Sequence, residues 1–173
     1  MKIVLIGYMA SGKSFVGKKL AAVLGIPFKD LDAEIENQEG KSIPKIFSEK
    51  GEIYFRKVEN EALKQIISKA EDFVLATGGG TPCYGNSLDL ILNQKDVLSI
   101  YLKTPIDVLA ARLLSEKENR PVVAHLNTVE KLNDFIKKHL FERSYYYNQA
   151  ALIIDNGKES VDDTIEKIIL KLF

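Results

Sequence analysis

Residues Gly7 to Ser14 read GYMASGKS, a complete GxxxxGK[ST] pattern set between the apolar run Ile3-Val4-Leu5-Ile6 and a helix-forming stretch that begins at Ser14. That spacing supplies phosphate chemistry. A buried strand delivers the loop, backbone N–H groups wrap the phosphates, and the positive end of the helix faces them. Lys13 then reaches the β- and γ-phosphates of a nucleotide, and the Ser14 hydroxyl can ligate magnesium. The plainer reading is a glycine-rich turn with an exposed lysine, which leaves Ser14 and the preceding strand without a purpose.

Further residues have types suited to the same chemistry. Asp30 and Asp32 flank Leu31, and in an extended segment side chains two apart share a face. Asp30 is the better candidate for the outer shell of a magnesium ion, although an ordinary solvated strand end fits the pair equally well. Thr77-Gly78-Gly79-Gly80 follows the apolar run Phe73 to Ala76 and offers bare backbone N–H groups, without the carboxylate that many phosphate-loop proteins carry there. Arg56 lies four residues after Glu52, so by itself it reads as a weak surface ion pair. Arg120, in Asn119-Arg120-Pro121, is a candidate for neutralising charge on a transferring phosphoryl group. Arg143 reads alone as a solvated helix charge, and Tyr145-Tyr146-Tyr147 as helix packing rather than a base-stacking platform. His125 and His139 have no partner at ligand spacing and read as surface residues.

The elements that must position these residues alternate between short β-rich runs and longer amphipathic segments, the pattern of a parallel sheet covered on both faces. Val16, Leu20, Val23 and Leu24 form one apolar stripe, and Gly25 with Pro27 ends that helix. Pro27 to Leu31 reads as a short second strand. Ser42 and Gly51 punctuate a helical region whose later part, Glu52 to Ser68, carries Val58, Ala62, Leu63, Ile66 and Ile67 on one face. Phe73 to Ala76 is a third strand and Val97 to Leu102 a fourth. Thr104-Pro105-Ile106-Asp107 reads as a capping box opening a helix to about Leu114. The polar stretch Ser115 to Thr128 is a loop with the character of a lid. A long helix through Phe141 and Tyr147, a strand at Leu152 to Ile154 and a helix after Ser160 complete the pattern.

The chain of 173 residues suits one α/β domain, and 24 basic against 24 acidic residues give no field that would draw it to nucleic acid or an anionic membrane. The first apolar run passes straight into the phosphate loop, unlike a secretory signal, and no stretch has the length of a membrane span. The single Cys83 excludes an internal disulfide. A cytoplasmic location is expected.

In order along the chain, GYMASGKS, FKDLDAEIE, GKSIPKIF, GEIYFRKVE, TGGGT, NRPVV and ERSYYY resemble the shikimate kinase family, and the similarity covers almost the whole sequence. The resemblance implies a single three-layer α/β/α domain over residues 1–173, with a five-stranded parallel sheet in the order 2-3-1-4-5. Its phosphate loop would be residues 7–14, its substrate-binding region 30–62 and its lid 115–128. The implied reaction is magnesium-dependent transfer of the ATP γ-phosphate to the 3-hydroxyl of shikimate, in aromatic amino-acid biosynthesis. Implied catalytic residues are Lys13, Asp32 and Arg120. Nucleotide contacts would come from Gly7, Ala10, Ser11, Gly12, Lys13, Ser14, Phe15, Arg112, Arg120 and Asn156, with Arg112 stacked on adenine. Asp32, Arg56, Gly78, Gly79, Gly80 and Arg143 would hold shikimate, the two arginines on its carboxylate, and Ser14 with Asp30 would serve magnesium. Shikimate and ATP are the implied partners, and a monomer is expected. Ala10 departs from the glycine common at that family position, which implies adjusted loop geometry rather than lost activity.

Gluconate kinases and nucleoside monophosphate kinases share the phosphate loop and the domain size, but the paired aspartates, GExxFR and triple glycine together favour a small carboxylated ring. A GTPase switch would need NKxD after a strand. Asn93-Gln94-Lys95-Asp96 has its lysine one place late and precedes its strand.

Overall fold

The computed structural model describes residues 1–115, 126, 128–157 and 159–173. Its centre is β1 (Lys2–Ile6), a strand buried at every position. On one side β1 pairs with β3 (Phe73–Ala76), which pairs with β2 (Phe28–Asp30). On the other side β1 pairs with β4 (Val97–Lys103), which pairs with β5 (Leu152–Asp155). Every pairing is parallel and the order is β2-β3-β1-β4-β5, the expected sheet.

Alternation along β1 splits the core in two. Val4 and Ile6 join Leu75 and side chains of α3 (Ile43–Ser68), α5 (Ile106–Ser115) and α6 (Val129–Tyr147). Ile3 and Leu5 join Val74, α1 (Lys13–Leu24) and α7 (Val161–Leu172) on the opposite face. A parallel sheet buried on both faces requires such continuous apolar strands. Lys2 is the polar exception, 6% exposed; its ammonium donates to Ile67 O at 2.8 Å and pairs with Asp96 at 2.7 Å. The aspartate of the near-miss NQKD segment thus serves the start of the central strand.

Strand β2 is shorter than expected, and this changes the account of the paired aspartates. The chain turns helical at Leu31, opening α2 (Leu31–Glu39), and the Asp30 carboxylate caps it by accepting from the N–H groups of Asp32 at 3.1 Å and Ala33 at 3.4 Å. Asp32 therefore stands in the first turn of a helix, and strand alternation does not explain its direction. Aspartate is a strong N-cap, and its preference overrides the strand character of its neighbours.

Helix α3 is broken at Gly51, whose φ of 80° and ψ of 172° give a kink only glycine accepts readily. A short helix α4 (Ser87–Leu92), not expected from the sequence, follows the turn Thr81–Cys83. The capping box expected at Thr104 and Asp107 does not form; a different one, with both its hydrogen bonds, stands at Ser160 and Asp163 at the start of α7. Thr104 lies before α5, and its hydroxyl accepts from Asn156 Nδ2 at 3.4 Å. Most of the expected lid, with Arg120 and His125, lies outside the described residues; Thr128, its last residue, caps α6 by accepting from Lys131 N–H.

Candidate active site

The carboxyl ends of β1, β2 and β3 open into a cleft of about 840 Å³, lined by the phosphate loop, Asp30, Asp32, Thr77 to Gly79, Arg112 and Asn156. Open α/β sheets bind ligands at this edge. Gly7 and Gly12 take positive φ values of 147° and 89°, and a Cβ at Gly7 would stand 2.9 Å from Leu102 O, so the loop leaves β1 too close to β4 for a side chain. Ala10 also has a positive φ, 61°, the one such non-glycine residue described. An alanine held in this left-handed region carries local backbone strain.

Side chains from elsewhere hold this loop. Arg112 Nη1 donates to Ala10 O at 3.1 Å and Asn156 Nδ2 to Ser11 O at 2.6 Å, while Asn156 Oδ1 accepts from Thr164. Lys13, 8% exposed, donates through Nζ to Gly7 O at 2.8 Å and Tyr8 O at 2.9 Å, so its ammonium lies over the loop. Phe15, 58% exposed, stands at the mouth of the cleft.

Beside the loop, the Ser14 hydroxyl donates to Asp30 Oδ2 at 2.6 Å. Asp32 is more enclosed. Burial, with Asp30 and Glu59 as like-charged neighbours, pushes its carboxyl pKa up to about 6 against the pull of Lys13. A Cβ at Gly78 would lie 3.3 Å from Asp32 Oδ1 and 3.1 Å from Glu59 Oε1, so the triple glycine lets backbone press onto both carboxylates.

Next to this cleft, around Gly78 and Gly80, a second cluster is built from distant segments. Arg56 keeps the expected pair with Glu52 at 3.3 Å but makes a shorter one, 2.8 Å, with Glu59, and its guanidinium lies 4.0 Å from the centre of the Tyr84 ring. It is not a surface ion pair. Glu59 is 2% exposed, and its second oxygen accepts from the Thr81 hydroxyl at 2.7 Å. The Arg56 guanidinium presses on Gly80, where a Cβ would stand 2.9 Å from Nη2. Arg143, on α6, lies over the Tyr8 ring with its guanidinium carbon 5.8 Å from the centroid. Both arginines act on Cys83, whose thiol burial pushes up to about 11 while Arg143 and Arg56 pull it down. Both guanidiniums thus bear electrostatically on the turn after the triple glycine, and Arg56 also touches it at Gly80 and Tyr84.

Sequence reasoning missed Glu59, Thr81, Tyr8 and the role of Tyr147. Glu59 carried a signal: it falls on the apolar stripe of α3 beside Val58 and Ala62, where an acid must find partners. Tyr147 packs in the core as expected and also donates through its hydroxyl to Gly79 O. His139 is corrected. It is half-buried rather than a surface residue, hydrogen-bonded through Nδ1 to the Tyr8 hydroxyl at 3.1 Å, because α6 packs this face onto the phosphate loop.

Comparison with known proteins follows the same residues. A family model described as "Shikimate kinase" matches residues 9–173. A shikimate kinase of Flavobacterium johnsoniae is 44% identical over 168 residues, 97% of this chain and 96% of the relative. The crystal structure of a shikimate kinase from Bacteroides thetaiotaomicron superposes with a TM-score of 0.90 at 31% identity, over 99% of this chain and 98% of that one. A shikimate kinase from Acinetobacter baumannii, solved in complex with shikimate, superposes with a TM-score of 0.85 at 33% identity, over 99% and 92% of the two chains.

Proposed function

This chain belongs to the shikimate kinase family, and from that premise we propose how its residues divide the work of the reaction. The enzyme transfers the γ-phosphate of ATP to the 3-hydroxyl of shikimate, giving shikimate 3-phosphate and ADP, in the route to aromatic amino acids.

One observation supports the division of roles above all: the half-buried Asp32 carboxylate lines the cleft with Lys13 on one side and is neighbour on the other to Glu59, the partner of Arg56. The phosphate loop, with Lys13, takes the ATP phosphates on backbone N–H groups. Arg112 and Asn156 keep the loop in shape, and Phe15 and Arg112 border the space for the base. Arg56 and Arg143 hold the shikimate carboxylate, because planar guanidiniums bind carboxylates with directional hydrogen bonds. Backbone groups of Gly78, Gly79 and Gly80 approach the ring.

Asp32 then accepts the proton of the 3-hydroxyl as that oxygen bonds to the γ-phosphorus; the bond from γ-phosphorus to the bridging oxygen breaks, and ADP leaves. A carboxylate with a raised pKa is a better base than an ordinary one. Lys13 neutralises charge on the moving phosphoryl group, and Arg120 keeps the same task in the proposal from its sequence position.

Ser14 and Asp30 offer hydroxyl and carboxylate oxygens, the hard donors that magnesium takes, and their 2.6 Å contact puts both on one spot at the loop. No group of three acidic, cysteine or histidine side chains among the described residues could hold an ion alone. The remaining ligands would be phosphate oxygens and water, and bound magnesium would supply charge neutralisation on the β- and γ-phosphates.

Every residue in this proposal comes from one chain, so a monomer suffices; sedimentation equilibrium tests that. Among the described residues no helix is long and apolar enough to cross a membrane, and we place the enzyme in the cytoplasm with its soluble substrates. A coupled ADP-release assay with shikimate, gluconate, a nucleoside monophosphate and a nucleotide-only blank tests the assignment. Release with shikimate alone is expected. Turnover with gluconate instead would overturn it.

A further inference from the structure

Helix α6 carries His139, Arg143 and Tyr147 at four-residue intervals, which places the three side chains along one face. Both ends of this stripe are tied to loops of the cleft. At one end Tyr147 donates to the carbonyl of Gly79 in the triple glycine. At the other, His139 Nδ1 and the Tyr8 hydroxyl are 3.1 Å apart, and Tyr8 belongs to the phosphate loop. Arg143 sits between the two ties, its guanidinium over the Tyr8 ring.

The imidazole is held as well as bonded. Phe135, one turn earlier on α6, packs on it with ring centres 4.1 Å apart, and the Tyr8 ring meets it edge-on at 6.2 Å. Burial first, and then Arg143, disfavour its charged form, so a neutral ring faces Tyr8. A half-buried polar ring with two aromatic walls and one hydrogen bond is costly to move. Tyr8 meanwhile presents its backbone oxygen to Lys13, so one residue touches the phosphate side of the cleft through its main chain and α6 through its side chain.

We propose that His139 is a positioning residue for Arg143: its hydrogen bond to Tyr8 fixes α6 against the phosphate loop and so aims the guanidinium at the substrate carboxylate. The inference rests on the assignment of Arg143 to that carboxylate. A guanidinium displaced by a fraction of an ångström or tilted loses one arm of a two-point contact, so an anchor one turn away sets how tightly the ring is held. His139 itself touches neither substrate.

The test is steady-state kinetics, each substrate varied while the other saturates, for the wild type, His139→Phe, His139→Asn, Tyr8→Phe and the double variant His139→Phe/Tyr8→Phe. Loss of one tie should raise the KM for shikimate about fivefold in His139→Phe, with kcat and the KM for ATP within about twofold of wild type. His139→Asn keeps a polar atom near the place of Nδ1 and should recover most of the loss. Tyr8→Phe should reproduce the effect, and the double variant should add nothing to either single change. Melting curves check that each variant is folded; if His139→Phe is not, Tyr8→Phe and His139→Asn carry the test through the same split in KM values. An unchanged shikimate KM, an equal rise in the ATP KM or additive single effects would overturn the proposal. A wild type that turns over shikimate beside an indifferent His139→Phe brings down the inference alone, whereas a wild type that releases no ADP with shikimate brings down the site assignment and the inference together.

Discussion

The two sides of the cleft are built by opposite means. On the phosphate side the binding groups lie close along the chain, Lys13 on the carbonyls of Gly7 and Tyr8 and Ser14 on Asp30, and two distant side chains, Arg112 and Asn156, brace the loop. On the arginine side Glu59 meets Thr81, Tyr147 meets Gly79, and Tyr8 meets His139 across 131 positions. The phosphate side binds with backbone and one ammonium from consecutive residues, and distant side chains only brace it. The arginine side binds with charges fixed by other buried groups, and no run of residues contains it. A change on the phosphate side should therefore act on catalysis and nucleotide, and a change on the arginine side on the affinity for shikimate.

The sharpest test of that division is Lys13→Ala. It removes the positive charge at the transferring group and the hydrogen bonds of Nζ to the loop, so kcat should fall roughly 10³-fold or more while shikimate binding, read by calorimetry, stays near wild type. A comparable loss of shikimate affinity would break the division.

Asp32 sits on the boundary. Asp32→Asn should lower kcat by roughly 10²-fold, the scale of a positioned general base. The wild-type kcat/KM should fall as pH drops below about 6, where the carboxyl takes up its proton, and the acid limb should vanish in the variant. Stability runs the other way. The folded pKa is raised above the unfolded value, so relative to Asp32→Asn the wild type gains stability at low pH and loses it as pH rises through about 6, which denaturant melts will read. Asp30→Asn should instead raise the magnesium concentration needed for half-maximal rate, because an amide is a poorer partner for the ion. Interchanged phenotypes would show that the two aspartates have each other's task.

Arg56→Lys keeps the charge but loses the fork that reaches Glu59 and the substrate at once, so the KM for shikimate should rise on the order of tenfold with that for ATP nearly unchanged. An ATP effect without a shikimate effect would put Arg56 on the wrong side.

The smallest effect belongs to Ala10. A left-handed alanine costs about 1–2 kcal/mol and glycine relieves it, but glycine also loses about 0.5–1 kcal/mol through the freedom of the unfolded chain, so Ala10→Gly should shift the melting temperature by only a few degrees, upward or not at all. A clear drop would mean that Ala10 makes contacts beyond its backbone.

The sequence by itself determined the sheet and the phosphate side, because strand, loop and helix there are consecutive and each is dictated by residue type: apolar runs, glycines at forced turns, one lysine and one serine at fixed spacing. It also contained the clue to Glu59, an acid on an apolar helix stripe. Asp30 and Asp32 both line the cleft, as expected, but not by strand alternation: a three-residue strand ended by an N-cap looks like a five-residue strand until the hydrogen bonds of Asp30 are seen. Arg56 and His139 looked like surface residues for a different reason. What removes each from solvent is a residue brought by another segment, Tyr84 for one and Tyr8 for the other. Spacing along a chain records what neighbours can do to one another, whereas burial and aim are properties of packed surfaces, and those were decided only when α3 and α6 closed on the loops of the sheet.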